Sequence, residues 1–500
     1  MSPARPDDPE LREPAEAEHG RWLALAGLTL VTFLLLLDDT AVAVAQPAIQ
    51  RRFGLDLEGM QWVVNVYTLT IAAFILLAGQ LADRFGRKRV YLAGLAIFVL
   101  ASLGAGLASS GPLLIAARAV QGLGAALVTP TALAIIADAF PHRQRGLALG
   151  IWSGVSASAL GLGPLFGAII SDGFGWRWIF LVNVPIGVGA WLVARATLRD
   201  SSAPRPTLHL DTIGAALSGT GLLMLLLGLT QGNGAGWLSV RVVLLFAAAV
   251  VCVALFITHE QMAAEPLLEI SWLKDRVFAG ANIQILLATS VMCSLFFFLA
   301  LYMQVVLDYT ALEAGIALLP LTITIVTVGP LAGWLADRIG PAIPVTVGML
   351  LLAGALFGLS GLRVDSSIAN LVPWLALAGL AIGLVTAPTT ATAMGSTDAA
   401  GHGSAAAVFS TFQTTGLTLG IAIMGAILTS FGAGGAFART LTAEHHEAFV
   451  RGFSTAVTVN AVIALLAAFI AVLLLRQRGS VARLDRGTDR SRWRLSPWRS

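Results

Sequence analysis

The sequence predicts an all-α integral membrane protein with fourteen membrane-spanning helices and no large soluble domain. Hydrophobic residues make up 57% of the 500 positions and charged residues only 12%, and the mean hydropathy is +0.82. Soluble globular chains carry about 25% charged residues, so no soluble core can absorb this much apolar sequence. The apolar residues also fall into runs of about twenty, the length of helix that crosses a bilayer.

Each of these apolar runs is expected to form one helix. The predicted spans are 22–46, 61–82, 90–109, 112–136, 146–170, 177–197, 211–230, 240–258, 277–301, 314–336, 342–361, 371–393, 404–430 and 451–475. The two cysteines, Cys252 and Cys293, both lie inside spans, so neither a disulfide framework nor a metal site is expected.

The basic residues predict the orientation, because Lys and Arg concentrate in cytoplasmic loops. With the N-terminus placed inside, 23 of the 31 basic residues fall in inner segments, 7 in outer loops, and Arg118 within a span. This split favours an even number of spans and two cytoplasmic termini. The first run is therefore expected to be a retained helix, although Ala43-Val44-Ala45 resembles a signal-peptidase site. The Arg-rich tail is expected to touch anionic lipid, with nucleic-acid binding a remote alternative.

An internal repeat divides the chain. The segment Gly79–Gly86 (GQLADRFG) ends span 2, and the similar segment Gly333–Gly340 (GWLADRIG) ends span 10. Because the copies are eight spans apart rather than seven, we predict two six-helix bundles with two inserted central helices, an arrangement related to the duplicated halves of transporters. The predicted divisions are a cytoplasmic N-tail (1–21), an N-terminal bundle (22–200), an inserted hairpin (201–260), a C-terminal bundle (261–475) and a basic cytoplasmic C-tail (476–500).

Several ordered motifs resemble one family. The loop after span 2 is similar to G-x-L-A-D-R-x-G-R-K, span 4 to R-x-x-Q-G-x-G-A, and the end of span 1 to L-D-x-T. The segment 176–185 is similar to W-R-W-x-F-x-x-N-x-P. Span 5 has the spacing of a motif associated with antiporters, in Gly154, Gly161, Gly163, Pro164 and Gly167. Together, from about residue 28 to 475, these motifs resemble the fourteen-span drug:proton antiporter branch of the major facilitator superfamily.

This resemblance implies a major-facilitator fold and a proton-coupled exporter of hydrophobic or cationic drugs, multi-pass in a bacterial inner membrane. One alternative is a dedicated exporter of one metabolite, antibiotic or lipid; a passive uniporter and a membrane-embedded enzyme are less favoured. No Walker-type segment occurs, so the proton gradient is the expected energy source and no cofactor is expected. The expected partners are a small-molecule substrate, protons and membrane lipids, with the protein a monomer. The sequence departs from the family where Pro341 replaces the basic run after the second copy.

Three charged residues inside spans are expected to couple transport to protons. Asp38 and Asp39 are the carboxylates well inside a span, and Arg118 is the cation there. Burial in lipid favours the neutral form of a carboxyl group, so such a group can take up and release a proton. Arg118 keeps its charge and must be compensated. Counting 1.5 Å per residue places Arg118 and Asp38 in the same half of the membrane, and the family motif favours Asp38 as the coupling residue.

The loop after span 2 is expected to act as a latch between the bundles. The resemblance implies that Asp83 faces a helix N-terminus of the other half and that Arg87 meets Asp138 at the inner end of span 4. The other expected members of this gating motif are Gly79, Arg84, Gly86 and Lys88. A plain positive-inside anchor is the alternative reading of the loop.

Other polar residues receive weaker predictions. Tyr67, Tyr302, Gln304 and Gln413 are candidates for the substrate cavity, because aromatic and amide groups suit bulky, partly apolar ligands. Ordinary packing is the alternative for each. All seven histidines are predicted to lie in loops or tails, which excludes them as intramembrane proton relays.

Overall fold

A computed structural model describes residues 15–198, 210–263, 265–397, 401–431 and 443–475. The predicted C-tail and most of the predicted N-tail lie outside these residues. Within them, every regular element is helical. In chain order the helices are α1 (Ala15–Phe53), α2 (Leu57–Phe85), α3 (Arg87–Gly106), α4 (Gly111–Ala139), α5 (His142–Phe174), α6 (Arg177–Leu181), α7 (Asn183–Thr197), α8 (Thr212–Ala235), α9 (Val240–Glu260), α10 (Ile270–Lys274), α11 (Arg276–Val305), α12 (Ala311–Ala317), α13 (Leu319–Ile339), α14 (Ala342–Leu359), α15 (Ile368–Gly395), α16 (His402–Ser430) and α17 (Ala443–Leu474).

Fourteen segments are long and apolar enough to cross a membrane, which confirms the predicted count. Several helices run past the predicted ends. The first was expected to end at residue 46, but it continues to Phe53 and ends before Gly54, whose φ is +62°. The helix continues because backbone hydrogen bonding does not stop where the side chains become polar; Gln50, Arg51 and Arg52 form its last turn.

The sixth span is broken near its start. Helix α6 ends at Leu181 and α7 begins at Asn183. Pro185 has no N–H to donate to the carbonyl group of Leu181, so a regular helix cannot continue here without losing a hydrogen bond. As a result Asn183 lies at the first position of α7, where its buried side chain faces α1.

Two helix pairs make the most extensive contacts between the first part of the chain and the last. Helix α2 packs against α16, and α5 packs against α13. The second pair is in backbone contact: a Cβ on Gly150 would lie 2.6 Å from the Gly329 carbonyl oxygen, and one on Gly333 would overlap the carbonyl group of Gly146. Small residues allow such close packing of helices in lipid.

Helices α8 and α9 pair with each other and form a hairpin, and α8 also contacts α2 and α16. Gly219 lies directly against Ala73 of α2, and the Asn233 side chain donates to the Ala422 carbonyl oxygen of α16 at 3.2 Å. We call α8 and α9 the inserted hairpin. It therefore contacts one helix from each of the two parts of the chain that it separates.

Candidate functional site

A buried ion pair lies inside the membrane-spanning bundle. Asp38 of α1 and Arg118 of α4 are both 0% exposed. Arg118 Nη1 donates to Asp38 Oδ2 at 2.5 Å, and Asn183 Nδ2 donates to Asp38 Oδ1 at 2.6 Å. Removing one partner of a buried ion pair costs about 3–5 kcal/mol because the remaining charge is left uncompensated. The structure thus brings together all three residues predicted for proton coupling, because Asp39 Oδ1 also lies 3.5 Å from Arg118 Nη2.

Arg118 has further partners that would hold it without Asp38. Its Nη1 also donates to Gln121 Oε1 at 2.9 Å, and its Nε donates to the Val63 carbonyl oxygen at 3.3 Å. Its guanidinium carbon lies 4.3 Å from the centre of the Tyr67 ring, within the range of a cation–π interaction. The positive charge is therefore stabilised from several directions.

Asp39 differs from Asp38 in its access to solvent. Its side chain is 32% exposed, although the residue lies in the middle of α1, and its Oδ1 is 3.5 Å from Arg118 Nη2. Cys293 of α11 lies within electrostatic range of Asp39. The two adjacent aspartates therefore differ in packing: Asp38 is sealed in the pair, and the side chain of Asp39 is partly accessible.

The repeated segment of α2 makes a second cluster. Asp83 Oδ1 accepts from the Gly403 N–H at 3.1 Å, and Asp83 Oδ2 accepts from the Ser404 N–H at 3.0 Å. These are the first N–H groups of α16, where the helix dipole favours an anion. Arg87, which is buried, donates to Asp83 at 3.1 Å and to Asp138 of α4. We call this cluster the first latch, and the end of the bundle that carries the basic segment 84–89 the basic-loop face.

The other gating-motif residues pack around the first latch. Lys88 Nζ donates to the Leu198 carbonyl oxygen at 2.5 Å, just past the C-terminus of α7, and Arg84 stacks on the Phe85 ring. Gly86 has φ +95°, which a residue with a side chain adopts only with strain. Gly79 lies against α16, where a Cβ would come within 2.7 Å of the Gly403 carbonyl oxygen.

The second copy of the repeat makes a similar but simpler contact. Asp337 at the end of α13 accepts from the N–H of Gly146, the fifth residue of α5, at 3.2 Å. Arg145 is the basic residue within electrostatic range of Asp337. We call this contact the second latch.

The antiporter-motif residues of α5 pack against three helices. Gly154 lies on α13, and Gly161 lies between Phe296 and Thr322. Gly163 and Gly167 lie on α1, where a Cβ on Gly163 would overlap Thr40, the residue next to Asp39. Pro164 stands inside α5 without ending it. This motif thus connects the α5–α13 interface with the acidic part of α1.

Of the four cavity candidates, Tyr67 is the one that contacts the ion pair within the described residues. Its hydroxyl group donates to the Leu35 carbonyl oxygen. Tyr302 is buried, stacks on Phe453 and donates to the Arg363 carbonyl oxygen at 2.6 Å, which is a packing role. Gln304 is exposed and donates within its own helix, and Gln413 is half-buried on α16.

The sequence-based prediction missed three residues that contact the ion pair or the first latch. Asn183 and Gln121 both lay in the motifs noted above, but no role was assigned to either. The histidine prediction was wrong for His402, which is 2% exposed and starts α16, with Nδ1 2.5 Å from Asp138 Oδ1. It was also wrong for five further histidines, each of which lies within a helix: His19 in α1, His142 in α5, His259 in α9, and His445 and His446 in α17. His402 was placed in a loop because the helix begins two residues before the apolar run predicted at 404.

Fourteen apolar helices with buried ionisable groups define a multi-pass membrane protein. The sequence model of the Major Facilitator Superfamily matches residues 28–421. The chain is 34% identical to the tetracenomycin C resistance and export protein of Streptomyces glaucescens, over 86% of this chain and 80% of that protein. It is 33% identical to the puromycin resistance protein pur8 of Streptomyces alboniger, over 92% and 93% of the two chains. The chain therefore belongs to the Major Facilitator Superfamily, a family of membrane transporters.

The fold agrees with this assignment. The solved structure of the proton:xylose symporter XylE aligns with a TM-score of 0.64 over 92% of this chain and 96% of that chain, at 15% sequence identity. The likeness is one of fold, which is the major-facilitator fold that the motifs predicted.

Proposed function

We propose that the protein is a proton-coupled exporter of hydrophobic or cationic drugs in a bacterial plasma membrane, with the basic-loop face and both termini in the cytoplasm. The observation that carries this proposal is the Asp38–Arg118 ion pair, which has no exposed surface and lies beside the part-exposed Asp39. Charged residues inside a membrane are costly and mark ion or substrate pathways.

The geometry supports exchange of a proton at Asp38. While Asp38 is ionised, Arg118 and Asn183 stabilise its charge. When Asp38 takes up a proton, Arg118 keeps its own charge. Asp39, already 3.5 Å from Arg118, can then take over as its anionic partner, while Gln121 continues to accept from it. Arg118 thus passes from one carboxylate to the other and is compensated throughout.

The exposed part of Asp39 supports a role for the substrate in this exchange. A cationic drug that approaches Asp39 competes with Arg118 for the carboxylate. Arg118 then returns to Asp38 and favours its ionised form, so the proton leaves. Substrate and proton therefore exclude each other, which is the condition for antiport.

The latches support alternating access. Both lie at the basic-loop face and join helices of the first part of the chain to helices of the last part. Opening this face requires that Asp83 leave the N-terminus of α16 and that Asp337 leave that of α5. We propose that the two six-helix bundles tilt relative to each other as these contacts break and re-form.

The names of the relatives support drug export and also favour a second candidate. The two relatives described above have names that contain tetracenomycin C and puromycin. A third relative, a cephamycin export protein of Amycolatopsis lactamdurans, is 34% identical over 84% of this chain. Because each of these names contains a single compound, they favour a dedicated exporter of one compound as the second candidate. Efflux of a panel of unrelated dyes and antibiotics separates the two: a multidrug exporter removes several, and a dedicated exporter removes one.

The proposal is tested by energised transport in everted membrane vesicles. We expect wild-type vesicles to accumulate a cationic dye such as ethidium when a proton gradient is imposed. Asp38→Asn should abolish gradient-driven accumulation with unchanged expression, because asparagine keeps the shape and cannot exchange a proton. Asp365→Asn, in an exposed loop, is the matched control. Gradient-driven accumulation by Asp38→Asn at the wild-type rate would contradict proton coupling at this residue.

A further inference from the structure

Two carboxyl groups meet at the basic-loop end of the inserted hairpin. Asp211 precedes α8 and caps it, and Glu260 is the last residue of α9. Glu260 is 4% exposed, and the side chain of Asp211 is 7% exposed. One oxygen of each has a partner: Asp211 Oδ1 accepts from the Gly214 N–H at 2.8 Å, and Glu260 Oε2 accepts from the Leu268 N–H at 3.1 Å.

The other two oxygens, Asp211 Oδ2 and Glu260 Oε1, are buried and accept no hydrogen bond from any described donor. They meet over Gly214, where an added Cβ would overlap Asp211 Oδ2 and approach Glu260 Oε1 to 2.6 Å. The Glu260 side chain is within hydrogen-bond reach of Asp211. Two carboxylates in contact cannot both be ionised without strong repulsion, whereas one shared proton gives both oxygens a partner.

The surrounding charges indicate which group holds the proton. His259 Nε2 lies 2.8 Å from Asp211 Oδ1, and Asp211 and His259 are the charged groups acting on Glu260 among the described residues. Helix α2 contributes the uncharged Gln80. Burial alone would raise the pKa of Asp211, but the hydrogen bonds from Gly214 and His259 outweigh it and hold that pKa below its usual value. Asp211 is thus the ionised member of the pair.

The carboxyl pair is bonded to α2 close to the first latch. The Asp211 N–H donates to Gln80 Oε1 at 3.0 Å, and Gln80 lies on α2 one turn before Asp83. At its other end the inserted hairpin is bonded to α16 through Asn233. The two helices that the first latch joins are therefore also joined by the hairpin, and the carboxyl pair sits where the hairpin holds α2.

We propose that Glu260 and Asp211 form a second proton-binding site, with Glu260 carrying a proton that fastens the inserted hairpin to α2. Loss of this proton leaves two ionised carboxylates in contact, and their repulsion separates the N-terminus of α8 from the end of α9. The hydrogen bond between Asp211 and Gln80 is then lost, and α2 is free to move. This site is separate from Asp38 and does not depend on the proposed export.

Infrared spectroscopy of the purified full-length protein tests the protonation directly. We expect the wild type at neutral pH to show a carboxylic-acid C=O band that is lost in Glu260→Gln. Glutamine can still accept from Leu268 and donate to Asp211, so the fold should be retained, as the thermal unfolding curve will show. Glu269→Gln, an exposed residue nearby, should keep the band. Identical bands in the wild type and Glu260→Gln would overturn the proposal.

Hydrogen exchange tests the attachment to α2. After correction for the chemical exchange rate, we expect amides 211–214 to exchange several-fold faster in the wild type above the pH at which the infrared band disappears than below it. In Glu260→Gln the corrected rate should stay low at both pH values. Equal pH dependence in the two proteins would overturn the fastening role. Neither measurement requires transport, so a failure of the export proposal would not affect them.

Discussion

The two copies of the repeated segment make the same bond in different surroundings. Each aspartate accepts from backbone N–H groups near the start of a helix on the opposite side of the interface: Asp83 from the first turn of α16, and Asp337 from Gly146, the fifth residue of α5. Asp83 is buried, however, with Arg87, Asp138 and His402 around it, whereas Asp337 is an exposed residue. Each copy of the repeat therefore supplies an aspartate that binds near the start of a helix. In the first copy, Arg87, Asp138 and His402, which lie outside the repeat, extend this contact into a buried network of charged groups.

This difference assigns unequal strength to the two latches. Exposed ion pairs contribute about 0–1 kcal/mol, whereas hydrogen bonds to a charged group contribute about 1.5–3 kcal/mol when buried. The loss of the basic run at Pro341 removes from the second copy the residue type that fills the Arg87 position in the first. The first latch is thus expected to dominate the equilibrium between open and closed states of the basic-loop face.

The largest expected effect is that of Asp83→Asn. This change removes the anion between Arg87 and the N-terminus of α16, so the basic-loop face should open. Native Cys293 is the reporter, in a Cys252→Ala background. We expect its reaction with a membrane-impermeant thiol reagent added at that face to accelerate by about tenfold or more, the equivalent of about 1.5–3 kcal/mol. An unchanged rate would show that Asp83 does not hold the closed state.

A smaller effect is expected for Asp337→Asn in the same background. The asparagine oxygen can still accept from Gly146, and the lost charge is largely screened by solvent, so the rate should rise by less than about fivefold. The comparison between the latches fails if this variant reacts as fast as Asp83→Asn.

The smallest difference between the copies is expected at the glycines that end them. Gly86 and Gly340 have φ of +95° and +84° with extended ψ, a region that residues with side chains rarely occupy. Gly86→Ala and Gly340→Ala should each lower the free energy of unfolding by about 1–3 kcal/mol. Denaturant unfolding in detergent measures both. A cost confined to one of them would show that the turns are not equivalent.

The number of spans and some of the contacts could be predicted from the sequence. The number of spans follows from the length of the apolar runs, because lipid requires every backbone group to be bonded within the helix. The meeting of Asp38 and Arg118 was expected from their depths, and the contacts of Asp83 and Arg87 from the motif resemblance. Most contacts of the first latch could therefore be predicted from the sequence.

Other contacts could not be derived in this way. Asn183 reaches Asp38 because the sixth span breaks at Val182, directly before Asn183. The position of that break is set by Pro185, three residues after it. His402 meets Asp138 across 264 residues of sequence, a separation at which local patterns carry no information about contact. Tyr302 faces Phe453 rather than a cavity, because hydropathy does not tell which neighbour an inward-facing side chain meets.

The proposed exchange depends on one step, the loss of a proton from Asp38 when substrate binds. Substrate-induced proton release from the purified protein, followed with a pH-indicator dye in weak buffer, measures this most directly. We expect release by the wild type and by Asp365→Asn, and no release by Asp38→Asn although it still binds substrate. Equal release by Asp38→Asn and the wild type would show that the released proton does not come from Asp38.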